Sequence, residues 1–118
     1  MADDKLEDKL EIVTSVGTRD EKVLGLKGPL TIKTLFAFQA AVREHGSSAL
    51  IIDFSGVPYM DSAGLGALVG ACVALQKTHR KLAFAGMNPQ VKALLDMTHV
   101  SQFFRIFPTL EEAQAAVA

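Results

Sequence analysis

The chain has 118 residues, 49% of them hydrophobic and 21% charged, with 12 Lys and Arg against 13 Asp and Glu and a formal net charge of −1. This is the composition of one globular domain spanning 1–118, with interior enough for a core that needs neither disulfides nor metal ions. The basic residues are scattered without the basic patch that phosphate neutralisation requires, so no nucleic-acid partner is expected, and the single Cys72 excludes a disulfide within the chain.

The acidic start, Met1 to Lys9, lacks the basic-then-apolar order of a secretory leader; residues 1–8 are expected to fray. No apolar run approaches the roughly 20 residues of a membrane span, so no membrane span and a cytoplasmic location are expected. Leu10–Ser15 and Lys22–Lys27 gather β-formers around the turn-like Gly17-Thr18-Arg19-Asp20, which predicts a hairpin. Gly28-Pro29 ends it. Thr31 is placed to cap a helix over about 32–45, with Ile32, Leu35, Phe38 and Val42 as its buried stripe and Phe36 off that stripe. An off-stripe aromatic is an interface candidate.

Ala49–Phe54 is apolar on both alternating faces, as suits a central strand covered by helices on both sides. After the bend Ser55-Gly56-Val57-Pro58, Asp61 is an N-cap residue type and Ser62 opens an uncharged helix. Projected at about 100° per residue, Leu65, Leu68, Val69, Cys72 and Leu75 form one face, expected to lie on the sheet, with Cys72 as a small hydrophobe. The opposite face carries Ala63, Ala67, Gly70 and Ala74, where a solvent-facing stripe would hold Lys or Glu. Either another element covers that face or a partner protein does.

Lys81–Ala85 reads as a strand, Asn88-Pro89 as a cap with proline at the first helical position, and Val91, Leu94 and Leu95 as the inner face of a short helix. Phe103–Phe107 reads as a further strand that Pro108 ends. Thr109-Leu110-Glu111-Glu112 is a capping-box signal for a last helix with Leu110, Ala113 and Val117 inward. The order β-β-α-β-α-β-α-β-α predicts an α/β fold: an open mixed sheet of about five strands with an N-terminal hairpin edge, and about four helices.

The chemistry of Ser62 follows from its place. First-turn N–H groups lack intrahelical partners and lie at the positive end of the helix dipole, so an anion there is favoured. A phosphoryl group on Ser62 would leave the fold intact yet add roughly −1.5 to −2 charges to the surface. An esterase-like nucleophile would need a neighbouring base and a Gly-x-Ser-x-Gly elbow, which is absent; His45, His79 and His99 fall at helix ends or loops. Gly64-x-Gly66-x-x-x-Gly70 misses the dinucleotide fingerprint by one residue. Asp53 and Asp61 lack a third ligand nearby, and no metal or cofactor is expected.

Nearly the whole chain resembles a STAS domain of the anti-sigma-factor antagonist type. The resemblance is carried by Leu26-Lys27-Gly28-Pro29-Leu30, by Ile51-Ile52-Asp53-Phe54-Ser55, by Tyr59-Met60-Asp61-Ser62-Ala63-Gly64-Leu65-Gly66, by Met87–Leu95 and by the closing Thr109–Ala116 segment. It implies a binding module without catalysis that sequesters a serine-kinase anti-sigma factor and so releases a sigma factor. The kinase would phosphorylate Ser62 and thereby be released, and a serine phosphatase would restore the unmodified form. The contact residues it implies are Asp61, Ser62, Ala63, Gly64 and Gly66; the small face adds Ala67, Gly70 and Ala74, and Thr31 and Phe36 join them. Many relatives have Glu and Asp where this chain has Pro29 and Thr31. A STAS scaffold or transport-system accessory subunit that does not switch is the alternative reading.

Overall fold

The computed structural model describes residues 9–44 and 48–117. The expected fraying of residues 1–8, and His45, lie outside the described residues. Two strands, β1 (Glu11–Val16) and β2 (Lys22–Lys27), form the antiparallel hairpin in unbroken register from Glu11↔Lys27 to Val16↔Lys22. Then follow α1 (Leu35–Arg43), β3 (Ala49–Gly56), α2 (Ser62–Lys77), β4 (Lys81–Ala85), α3 (Pro89–Met97), a single 3-10 turn (Ser101–Phe103), β5 (Ile106–Phe107) and α4 (Leu110–Val117). The strands lie side by side in chain order, all parallel beyond the hairpin, with β3 in the middle.

Alternation along β3 divides the core. Leu50, Ile52 and Phe54 point to the face covered by α1, α2 and α3, where they meet Phe38, Leu68, Leu75 and Leu95. Ile51 points to the other face, against Ala113 and Val117 of α4. On the larger side Phe54, Phe84 and Phe104 stack edge to face, with ring centroids 5.8 and 5.1 Å apart, the geometry that aromatic quadrupoles favour. Gly28, at φ 124°, passes so close to the Lys9 carbonyl that any side chain would collide with it.

Three expectations need correction. The first helix begins at Leu35, not near residue 32, and Ile32 is 59% exposed instead of buried. The reason is polar: Thr34 Oγ1 donates to the Pro29 carbonyl (2.8 Å) and accepts from the Thr31 N–H (2.9 Å), which folds residues 31–34 into a turn ahead of the helix. Thr31 is therefore a turn residue whose carbonyl accepts from Leu35 N–H, not the helix cap. The strand expected over Phe103–Phe107 shrinks to Ile106–Phe107, because the preceding residues make a 3-10 turn that swings Phe104 into the core. Finally, the buried arc of α2 is Gly64, Leu65, Ala67, Leu68, Ala71 and Leu75. It is rotated from the leucine stripe, so Val69 is exposed and Cys72 half-buried.

Candidate functional site at the amino end of α2

The segment before α2 is fixed by backbone pairing. Leu30 and Met60 form a parallel bridge, Leu30 N–H donates to the Tyr59 carbonyl (3.2 Å), and Asp61 N–H donates to the Leu30 carbonyl (3.3 Å). Asp61 then adopts an extended conformation and caps the helix: its Oδ1 accepts from Gly64 N–H at 2.8 Å and its carbonyl from Leu65 N–H at 3.0 Å. The second carboxylate oxygen, Oδ2, accepts from Ile32 N–H at 3.1 Å. One side chain thus closes the helix end and holds the residue 31–34 turn beside it. Its negative charge is spent on backbone donors.

Ser62 is the first helical residue and is exposed. The N–H groups of Ser62 and Ala63 have no acceptor within the helix by geometry, so an anion on the Ser62 hydroxyl would meet donors and the positive end of a 16-residue helix. The outward face of α2 continues from Ser62 through Gly66, Val69, Gly70, Val73 and Ala74, all exposed and all uncharged. At Gly66 and Gly70 an added methyl group would meet nothing within 4 Å among the described residues.

The candidate residues divide. Ser62, Gly66, Gly70, Ala74 and Phe36, the last 70% exposed, offer surface. Asp61, Ala63 and Thr31 are half-buried. Gly64 and Ala67 do not offer surface: Gly64 is pressed against the Leu30 carbonyl, and Ala67 is 5% exposed where α1 packs on α2. The small-residue face is therefore shared. An open groove of about 250 Å³ between α1 and α2 has Phe38, Val42, Ala67 and Ala71 within it and Gly70 and Ala74 along it, with Gln39 and Arg43 beside them. Val73 and Ile32 are further exposed apolar side chains, 45% and 59% exposed, that the sequence reading does not place on the surface. Val73 follows Ser62 by eleven residues, which is about 20° from it around the helix, so the wheel held that signal; the exposure of Ile32 depended on a long-range hydrogen bond and left no local trace.

The remaining chemistry is displaced from Ser62. His79 and His99 occupy left-handed positions, φ 57° and 59°, just beyond the carboxyl ends of α2 and α3. The length of α2 puts His79 about 25 Å from Ser62, out of reach as a general base. Burial pushes the Cys72 thiol up to about 12, so it stays protonated. Among the described residues no group of three or more His, Cys, Asp and Glu is placed to hold a metal ion, and no helix is long and apolar enough to cross a membrane.

A mixed sheet with an antiparallel hairpin edge, helices on both faces and an exposed serine at a capped helix end define an α/β domain of one recognisable class. The STAS domain model matches residues 9–113, and the chain belongs to that family. It is 27% identical over 97 residues to the anti-sigma-B factor antagonist of Staphylococcus epidermidis, covering 82% of this chain and 90% of that protein. Among solved structures, an anti-sigma factor antagonist from Mycobacterium paratuberculosis superposes with a TM-score of 0.85 at 24% identity, covering 93% and 95% of the two chains. A domain within the murine Slc26a9 anion transporter superposes at 0.78 with 17% identity, over 98% of this chain and 23% of that one. The chain is thus a STAS domain resembling anti-sigma factor antagonists, a type that is typically a non-enzymatic binding module.

Proposed function

We propose that this protein is a phosphorylation-switched anti-sigma-factor antagonist acting in the cytoplasm. Unmodified, it binds a serine-kinase anti-sigma factor and frees the sigma factor; phosphorylated on Ser62 by that kinase, it releases it, and a serine phosphatase resets it. The observation that carries the reading is the surface of α2, where an exposed serine at the capped amino end opens onto the uncharged strip Gly66, Val69, Gly70, Val73. Glycine in an exposed helix costs about 0.5–1 kcal/mol relative to alanine, and nothing among the described residues occupies the space that Gly66 and Gly70 leave. Close approach of a partner backbone is a use for both. A phosphate added to such a surface demands cations that a partner fitted to a neutral hydroxyl does not supply.

The test is calorimetry of unmodified and Ser62-phosphorylated protein against the serine-kinase anti-sigma factor of the same organism. The unmodified protein and Ser62→Ala bind, the phosphorylated protein binds at least about a hundredfold more weakly, comparable to the loss of one or two buried polar contacts, and Ser62→Asp binds poorly with an unchanged circular-dichroism spectrum. Equal affinities for the two forms would remove the switch. Because the fold is shared with part of the Slc26a9 transporter, that result would favour the scaffold or accessory-subunit reading.

A further inference from the structure

The two edges of the sheet are built differently. β5, at one edge, is two residues long, half-buried and ended by Pro108, the short and interrupted form in which an edge resists further pairing. β1, at the other, runs six residues in unbroken register with β2 and contains no Pro, Gly, Lys or Arg. Ile12, Val13, Thr14 and Val16 make it rich in β-branched residues, and among the described residues no strand lies on its outer side. We propose that β1 is the contact through which two copies of this chain associate, the strands pairing antiparallel about a two-fold axis at Val13. That pairing uses no residue of the Ser62 surface, so it stands whether or not the serine switches.

The phase of the ladder decides which backbone groups are open. Gly17 N–H donates to the Glu21 carbonyl at 2.8 Å, continuing the register that pairs Glu11 with Lys27. Odd-numbered residues of β1 therefore direct N–H and C=O toward β2, and Leu10, Ile12, Thr14 and Val16 direct theirs outward. A two-fold axis perpendicular to the sheet brings side chains of one face against side chains of the same face, so even residues pair with even and odd with odd. Centring on Val13 sets Ile12 opposite Thr14 and Leu10 opposite Val16, and all four outward residues then exchange backbone bonds with the copy.

The side chains suit the same register. Val13, 47% exposed, meets itself across the axis, and Val16, 54% exposed, gains the half-buried Leu10. Opposite Glu11 stands Ser15, and opposite Lys9 stands Gly17, so no like charges face each other. The two Glu11 lie four residues, about 13 Å, apart along the strands. An unrelated extended peptide would share only the backbone bonds; the match of β1 to its own reverse favours a second copy. Such a contact closes with two chains, and the short β5 offers no edge on which to extend it. The two five-stranded sheets become one continuous sheet, with α1, α2 and α3 of both copies on one side.

The experiment is sedimentation velocity of the full chain from about 10 μM to about 1 mM, with amide hydrogen exchange at both ends of that range. A dimer should form with a Kd of roughly tens to hundreds of micromolar, as suits a contact smaller than a standard interface. The amides of Ile12, Thr14 and Val16 should slow with concentration, and that of Val13, already directed to β2, should not. Val13→Lys and Val13→Glu should each weaken association by at least about tenfold, and an equimolar mixture of the two should restore it, because position 13 then sets unlike charges face to face. Thr14→Pro removes an outward N–H and no bond to β2, so it should abolish the dimer; the Val13 pair decides the matter should the proline fail to fold. A protein that stays monomeric to about 1 mM would overturn the proposal, as would a dimer indifferent to either charge at position 13 or a mixture no stronger than its parents. So would protection of Ile12 and Thr14 that does not vary with concentration, which would assign the edge to the chain's own amino-terminal residues.

Discussion

Three glycines in α2 share a residue type and have opposite consequences. A methyl group on Gly64 would run into the Leu30 carbonyl and Met60 side chain, both fixed by the bridge that positions the serine, whereas at Gly66 and Gly70 it would meet open space. Gly64→Ala should therefore destabilise by about 1–3 kcal/mol as overpacking against backbone, while Gly66→Ala and Gly70→Ala should each stabilise by about 0.5–1 kcal/mol through helix propensity. Urea midpoints measure all three, and a loss of stability at Gly66 or Gly70 would mean that the strip serves the fold. The sequence alone showed small residues but not which of them touch something, because that depends on Leu30, thirty-four positions away. Glu21 was hidden for the same reason. It is nearly buried, and its carboxylate accepts from Arg19 N–H (2.9 Å) and from the Gln114 side chain (3.2 Å). The backbone donors of Arg19 and of Glu21 itself, then the Gln114 amide and the Arg19 charge, hold its pKa below the ordinary glutamate value against the opposing effect of burial. The lowered value fixes the sign: Glu21 contributes its stabilisation in full above the ordinary glutamate pKa and loses it as pH falls through the folded one. Glu21→Gln should flatten the stability profile below about pH 4.5 and leave its slope above pH 6 unchanged, as thermal melts across that range would show.

At the scale of elements, what could be read in advance was whatever is encoded locally. The start of α2 at Ser62 follows from a capping aspartate before an uncharged helical run, the start of α3 from Asn88-Pro89, and the central place of β3 from apolar residues on both its faces. The Thr109 signal for α4 also reappears as a hydrogen bond, from Glu112 N–H to Thr109 Oγ1 at 3.2 Å. What could not be read was encoded at a distance or by competition. Residues 31–34 have helical periodicity, but Thr34 finds Pro29 and Ile32 finds Asp61. The Phe103–Phe107 run has strand composition, but seating Phe104 against Phe84 takes a turn. The buried arc of α2 differs from its leucine stripe because leucines mark the core while alanines, equally buried, mark contact with α1. Asp61 is where local and distant coding meet. As a cap alone its loss would cost about 1 kcal/mol; because it also tethers Ile32, Asp61→Ala should cost about 2 kcal/mol or more in chemical denaturation. Asp61→Asn, which keeps an acceptor for one of the two donors, should recover about half. Equal losses for the two variants would mean that only the charge matters at this position.

The whole molecule is lopsided about its sheet. One face buries Phe38, Phe54, Phe84 and a row of leucines under three helices. Among the described residues the other is covered by α4 alone, over a layer built mainly from Ala49, Ala83, Ala85 and Ala113 with Val23, Ile51 and Val117. Alanine buries little apolar area, so at roughly 25 cal/mol per Å² the α4 side gains much less from packing than the α2 side. Polar fastening makes up part of the difference: Arg105 and Lys81, projecting from the start of β5 and β4, reach carbonyls in the last turn of α4, where positive charge also favours the helix dipole. Regions held by few apolar contacts open at lower free energy than the global transition. Native-state hydrogen exchange should accordingly show the amides of α4 exchanging through a sub-global opening while those of α2 and β3 exchange only on global unfolding. Arg105→Gln should accelerate the α4 amides by about three- to tenfold, the equivalent of one exposed charge-assisted hydrogen bond, and leave α2 unchanged. Protection in α4 equal to that of β3, or acceleration spread evenly over both faces by the substitution, would show instead that the thin side is as firmly coupled as the thick one. If α4 opens separately, the proposed phosphate or partner at Ser62 would act on the more rigid half of the molecule, and binding there should leave exchange in α4 unaltered.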